Sequence, residues 1–155
     1  ERRLCAVIYT HLEVMIFMTK QKHIQCPYCH ANASLRPAST VYGCNRRSQG
    51  KYIYLCDRWP ACDAYVSAHD RTHRPMGTLA NGDLRHKRIL AHRALEHLQQ
   101  SRHMEKWEVY IWLQAKLGLN DQQAHIGMFS DGMCGEVIRL CYKAAAPLGN
   151  LHSAA

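Results

Sequence analysis

Apolar and polar positions change rhythm once along this chain, near residue 77. Before that point the apolar residues come in short, strand-length runs. Lys51-Tyr52-Ile53-Tyr54-Leu55 alternates as a half-buried strand and delivers Cys56, so Tyr52 and Tyr54 face one side of it while Lys51, Ile53 and Leu55 face the other. Leu35-Arg36 and Thr40-Val41-Tyr42 suggest earlier strands, Asn45 to Gly50 reads as a polar turn, and Ala64-Tyr65-Val66-Ser67 adds a later strand. His69 to Gly77 is polar and carries Pro75 and Gly77, the composition of a linker.

Beyond the linker the period is helical. Asn81 is placed to cap a helix running to about Ser101, with Leu84, Ala91, Leu95 and Leu98 on one face and Arg85, Arg88 and His92 on another. A second helix, Met104 to Leu117, aligns Val109, Leu113 and Leu117 and stops at Gly118. Asn120 and Ser130 are two further cap candidates, and the last helix runs to about Lys143. There Cys134, Val137, Ile138 and Cys141 fall at the spacing of a buried face. The predicted fold class is α+β. Its segments are an N-terminal extension (1–21, with Met18 resembling an ordinary start), a zinc ribbon (22–68), a linker (69–80), a region of three to four helices (81–143) and a flexible tail (144–155).

The ribbon takes its name from cysteine spacing. Cys26-Pro27-Tyr28-Cys29 is answered by Cys56 and Cys62, with strand-like sequence between. A zinc ion held by four thiolates needs two such pairs, each forming one corner, brought together by a hairpin. Cys26, Cys29, Cys56 and Cys62 are the expected ligands of one structural Zn2+. CPYC is also the active-site sequence of glutaredoxins, but no strand-helix-strand unit surrounds it and the residues after it make a poor helix. Cys26 to His30 also matches the attachment pattern of c-type haem, which leaves Cys56 and Cys62 unexplained. His30, Cys44 and His69 could each replace a ligand and are read more simply as turn or surface residues. Cys134 and Cys141 stand roughly 10.5 Å apart along a helix axis, too far to grip one ion together, and are read as buried free thiols.

Charge narrows the partner. The 155 residues carry 20 Lys and Arg against 12 Asp and Glu, a formal net charge of +8. The excess is concentrated between Met18 and Gly77, with nine basic and three acidic residues, whereas Thr78 to Ala155 has nine and seven. A compact basic surface attracts polyanions, nucleic acid first among them. The apolar run from Leu4 to Met18 is interrupted by His11 and Glu13 and is too short to span a bilayer. No membrane role is expected, and a reducing, cytoplasmic setting is. His86, His92, His97 and His103 form no metal-binding helix motif. Paired carboxylates, a nucleophile elbow and a phosphate-cradling glycine loop are not found, so an enzyme organised around His92 and His125 ranks below a binding protein.

Two resemblances add to this reading. CPYC, the strand Gly50-Lys51-Tyr52-Ile53-Tyr54-Leu55-Cys56 and the loop Trp59-Pro60-Ala61-Cys62 resemble the four-cysteine zinc ribbons at the C-termini of bacterial type IA topoisomerases, which implies single-stranded DNA binding by aromatic stacking and basic contacts. From Cys26 to about Cys141 the chain is similar to a family of small zinc-finger-containing proteins of bacteria and their phages. Its marks here are Val41-Tyr42-Gly43, Cys62-Asp63-Ala64-Tyr65-Val66, Pro75-Met76-Gly77-Thr78-Leu79-Ala80, Trp112-Leu113 and His125-Ile126-Gly127-Met128-Phe129. That resemblance implies one ribbon-plus-helices unit and no activity.

The function expected from the sequence is therefore nucleic-acid binding, with single-stranded or distorted DNA ahead of RNA. Arg46, Arg47, Lys51 and Arg58 are the expected phosphate contacts, and Tyr52, Tyr54 and Trp59 the stacking candidates, although alternation forbids all of them from sharing one surface. The alternative is an adaptor that docks on a nucleic-acid enzyme through its helical half. Sequence gives no oligomeric state.

Overall fold

The computed structural model describes residues 24–146, so the expectations for 1–21 and for 147–155 lie outside the described residues. The chain divides into two compact units, Glu1–Asn81 and Gly82–Ala155.

In the first unit four strands form an antiparallel meander in the order β1 (Ile24–Gln25), β2 (Asn32–Pro37), β3 (Tyr52–Cys56) and β4 (Tyr65–Ser67). Register sets what each face carries. Ala33 pairs with Cys56 and Leu35 with Tyr54, while Tyr54 also pairs with Val66 across β4. With side chains alternating across a pleated strand, this face gathers Ala33, Tyr54, Cys56 and Val66, which pack with Cys26, Ala64, Ala68 and Leu79. The opposite face carries Ile53, Leu55 and Tyr65, packed with Ala38, Val41 and Trp59.

Two local expectations change. Thr40-Val41-Tyr42 is not strand: residues Ser39–Tyr42 make a single helical turn, α1, in which the Ala38 carbonyl accepts from the Val41 N–H (3.2 Å) and the Tyr42 N–H (3.0 Å). Pro37 is the last residue of β2, the Ala38 N–H closes the ladder onto the Lys51 carbonyl at 2.9 Å, and Gly43 leaves the turn at φ 70°. Packing the partly buried Val41 against Ile53 and Leu55 outweighs the strand preference of β-branched Thr40 and Val41 and aromatic Tyr42. The stretch 69–80, read as a linker, instead folds back along the ribbon. Ala68 bridges Pro75, Tyr65 bridges Ala80, and Leu79 and Ala80 are buried.

The second unit holds α2 (Gly82–Arg102), α3 (Lys106–Leu117), a 3-10 turn (Ile126–Met128) and α4 (Asp131–Ala145). Each boundary has a local cause. Glu105 and Glu108 close a reciprocal capping box at the start of α3, Gly118 ends it in the left-handed region at φ 64°, and Ser130 Oγ accepts the Met133 N–H at 3.3 Å to start α4. Asn120 does not launch a helix. Its Oδ1 accepts the Gln123 N–H while Gln123 Oε1 accepts the Asn120 N–H, closing a turn ahead of the 3-10 segment. Cys134, Val137 and Cys141 are fully buried with Ala91, Ala94, Leu98, Leu113, Ile126 and Phe129, as the helical spacing of α4 requires.

Candidate metal centre

Two loops at the same end of the sheet build the centre. Beyond β1 the chain turns through Cys26-Pro27-Tyr28-Cys29 and returns, with the Cys26 N–H donating to the Ala31 carbonyl (2.8 Å) and the His30 N–H to the Cys26 carbonyl (3.0 Å). His30 takes φ 59° to complete this reversal. Beyond β3 the longer loop is closed by Trp59 N–H to the Cys56 carbonyl and Cys62 N–H to the Arg58 carbonyl, both at 3.0 Å, and the Trp59–Pro60 peptide is cis. The Ala33–Cys56 pair of β2 and β3 sets the two loops side by side.

The four sulfurs converge. Cys26 Sγ lies 3.7 Å from Cys62 Sγ, Cys29 Sγ lies 3.3 Å from Cys56 Sγ, and all four are within 4.8 Å of one another. Zn–S bonds near 2.3 Å at tetrahedral angles place sulfurs about 3.8 Å apart, so the cluster fits a zinc ion with little adjustment. Four protein thiolates also fill the coordination shell. A closed shell leaves no position for water or substrate, which makes the site structural rather than catalytic.

The backbone prepares the thiols unequally. The Ala31 N–H directed at Cys29 brings that thiol down to about 7 against some opposition from burial. Burial pushes Cys56 up to about 12, although the Arg58 N–H pulls the other way. Cys62 receives the Ala64 N–H, which lowers it, but burial and the Cys29 and Cys26 thiols leave it raised. In three of the four ligands, then, the N–H two residues further on points at the sulfur, the partial positive charge that a metal-bound thiolate accepts. Among the described residues this is the one group of His, Cys, Asp or Glu side chains clustered for a metal. Cys44 is exposed, Cys134 and Cys141 are buried in the helical unit, and His30 and His69 are exposed.

The residues expected to contact nucleic acid are distributed unevenly. Arg46 and Arg47 are exposed in the turn between α1 and β3, held by Asn45: its Oδ1 accepts the Arg47 N–H (2.9 Å) and the Ser48 N–H (3.0 Å), and its Nδ2 donates to the Tyr42 carbonyl (2.9 Å). Buried Ser48 ties the same turn to the Gly43 carbonyl at 2.6 Å. Arg58 is exposed in the second cysteine loop, and Trp59 is half-buried against the Ile53, Leu55 and Tyr65 cluster. Lys51 is exposed but its ammonium pairs with Asp70. Tyr54 is only 7% exposed and belongs to the core beside the cysteines, and Tyr52 is half-buried, edge-on to His73 with ring centroids 4.9 Å apart. The face expected to offer Tyr52 and Tyr54 for stacking is thus the metal-side core.

Sequence reasoning passed over Tyr42 and Tyr28, which are 52% and 42% exposed. Pro37 and Gly43 bracket the Tyr42 segment, a punctuation that signals a turn rather than a strand. In the helical unit His92 is exposed, and partial desolvation by its neighbours pushes it below its ordinary value, with Glu96 opposing and Lys106 reinforcing. His125 is exposed, and its carbonyl rather than its side chain starts the 3-10 turn by accepting the Met128 N–H at 2.8 Å.

A curled antiparallel meander whose loops supply four convergent thiolates defines a zinc-finger module carrying one structural zinc ion, here followed by a helical unit. The chain belongs to the family described as a zinc-finger-containing domain, whose model matches residues 22–144. No curated protein and no solved structure matches it. Among the described residues no helix is long and apolar enough to cross a membrane.

Proposed function

We propose that the ribbon unit binds nucleic acid, with single-stranded or distorted DNA ahead of RNA. One observation carries this reading. Arg46, Arg47 and Arg58 are exposed and meet no acidic side chain among the described residues, whereas Arg36 lies 3.9 Å from Asp57 and Lys51 is paired with Asp70. Arg46 and Arg47 stand in the turn before β3 and Arg58 in the metal loop after it, so they offer phosphate contacts toward the two ends of that strand, with an affinity that falls as counterions return with salt. Trp59 beside Arg58, and the ribbon's likeness in sequence to those of type IA topoisomerases, support a preference for unpaired bases.

The test is fluorescence polarisation on the zinc-loaded chain with single-stranded DNA, duplex DNA and RNA at two salt concentrations. Salt-sensitive binding strongest for single strands is expected, and R46E/R47E weakens it more than about tenfold. A zinc-loaded chain that binds none of the three overturns the proposal.

A second reading, a protein-interaction adaptor working through the helical unit, draws on Trp107 and Ile111, which are 63% and 55% exposed one turn apart on α3. R46E/R47E leaves partner capture intact under that reading, and W107E/I111E abolishes it.

A further inference from the structure

We infer that the depression lined by Tyr42, Asn45, Arg46, Arg47 and Ser48 receives one unpaired nucleotide of a single strand, its base against the Tyr42 ring and its flanking phosphates on Arg46 and Arg47. This assignment rests on the nucleic-acid reading above and gives it an atomic site. The aromatic role moves here because β3 turns Tyr52 and Tyr54 toward the metal-side core, where Tyr54 is buried.

Tyr42 is half exposed, yet its ring is held in one orientation. Its hydroxyl donates to the Tyr65 hydroxyl at 2.8 Å, and the two rings meet edge to face at 89° with centroids 5.8 Å apart. A ring fixed before binding loses little conformational entropy when a base stacks on it. The backbone that carries the arginines is fixed relative to that ring by the same turn. Asn45 grips the Tyr42 carbonyl with its amide nitrogen and the Arg47 and Ser48 N–H groups with its oxygen, while Ser48 grips the Gly43 carbonyl. The base platform and the backbone bearing the phosphate contacts are therefore parts of one hydrogen-bonded turn. A duplex buries both faces of each base in its own stack, so this site selects an unpaired one.

The assignment is tested with zinc-loaded full chain, an oligothymidine strand and an abasic strand of equal length. Tyr42→Leu is expected to weaken binding of the oligothymidine about 5- to 150-fold, and Tyr42→Phe, which keeps the ring, to retain most of it. The unsubstituted chain is expected to bind the abasic strand about as weakly as Tyr42→Leu binds oligothymidine. Unchanged binding by Tyr42→Leu together with loss in R46E/R47E overturns the Tyr42 site and leaves the nucleic-acid reading standing. Failure of the unsubstituted chain to bind either strand removes both. Where Tyr42→Leu does not retain zinc, ultraviolet crosslinking of the unsubstituted chain decides: crosslinks on the Tyr42 peptide support the site, and crosslinks confined to other peptides overturn it.

Discussion

The guanidinium of Arg88 holds the carbonyl oxygen of Phe129 with two donors, Nε at 3.1 Å and Nη2 at 3.0 Å. Arg88 is 8% exposed, so the bond is made out of water and ties α2 to the residue that follows the 3-10 turn. Replacing Arg88 by Met removes both donors and leaves that carbonyl with its hydration lost. The expected cost is about 2 to 3 kcal/mol, read as a lower denaturant midpoint of the helical circular-dichroism signal with zinc content unchanged. Arg88→Lys recovers only part of it, since an ammonium lacks the planar fork.

Zinc removal acts on the other unit. With ligand pairs contributed by loops after β1 and after β3, the ion closes the ribbon across its sequence, and metal binding in small zinc modules is worth on the order of 10 kcal/mol. Chelation, or Cys56→Ser, is expected to collapse the ribbon, seen as a red shift of Trp59 emission in a W107F/W112F background. The helical signal of Gly82–Ala155 changes much less. Four thiols must lose protons to take the ion, so zinc affinity falls as pH is lowered. Burial that pushes free Cys56 up to about 12 opposes its ionisation without metal.

What could be read from the sequence divides along the range of the forces involved. The cysteine pairs were legible because ligand spacing is a local constraint imposed by the metal's geometry, and the α4 spacing was legible because one helix face meets one core. Alternation in β3 correctly separated Tyr52 and Tyr54 from Ile53 and Leu55. It could not say which set faces outward, because residues 53–56 are all buried and the sheet is covered on both sides. Arg88 is placed with Arg85 and His92 on another face by its charge, yet at i+4 from Leu84 and i−3 from Ala91 it falls on the buried stripe of α2. Its acceptor lies 41 residues away, and that partner is what a local pattern does not supply.

The Asn45 turn predicts a coupling between stability and the proposed binding. Asn45→Ala removes one donor and two acceptor contacts that hold the backbone of the turn carrying Arg46 and Arg47. The expected loss is about 1 kcal/mol, because the turn lies at the surface and water replaces part of what is lost. Affinity for single-stranded DNA is expected to drop by several-fold without any change in charge, as measured by polarisation at fixed salt. A variant that loses stability but binds as before shows that the arginines act as a flexible cationic pair, with the turn contributing only to folding.

The buried thiols of α4 give the helical unit a defined response to alkali. Cys141 is fully buried and its thiol is pushed up to about 11 from an ordinary value of 9.0; burial also raises Cys134, although Arg88 draws it down. In the unfolded chain Cys141 ionises near 9, while in the folded unit it keeps its proton to about 11, so the folded state binds more protons between those values. Its contribution is whole below pH 9 and is lost as pH rises through 11, a decline on the order of 2 to 3 kcal/mol from this one group. The check is to compare denaturant midpoints of the unsubstituted chain and Cys141→Ala from pH 8 to 11. Cys141→Ala starts lower, by about 1 to 2 kcal/mol for the packing it gives up, and then falls less steeply. Parallel curves, or fast reaction of Cys141 with a thiol reagent at pH 8, would show that the α4 face opens to solvent in the native state.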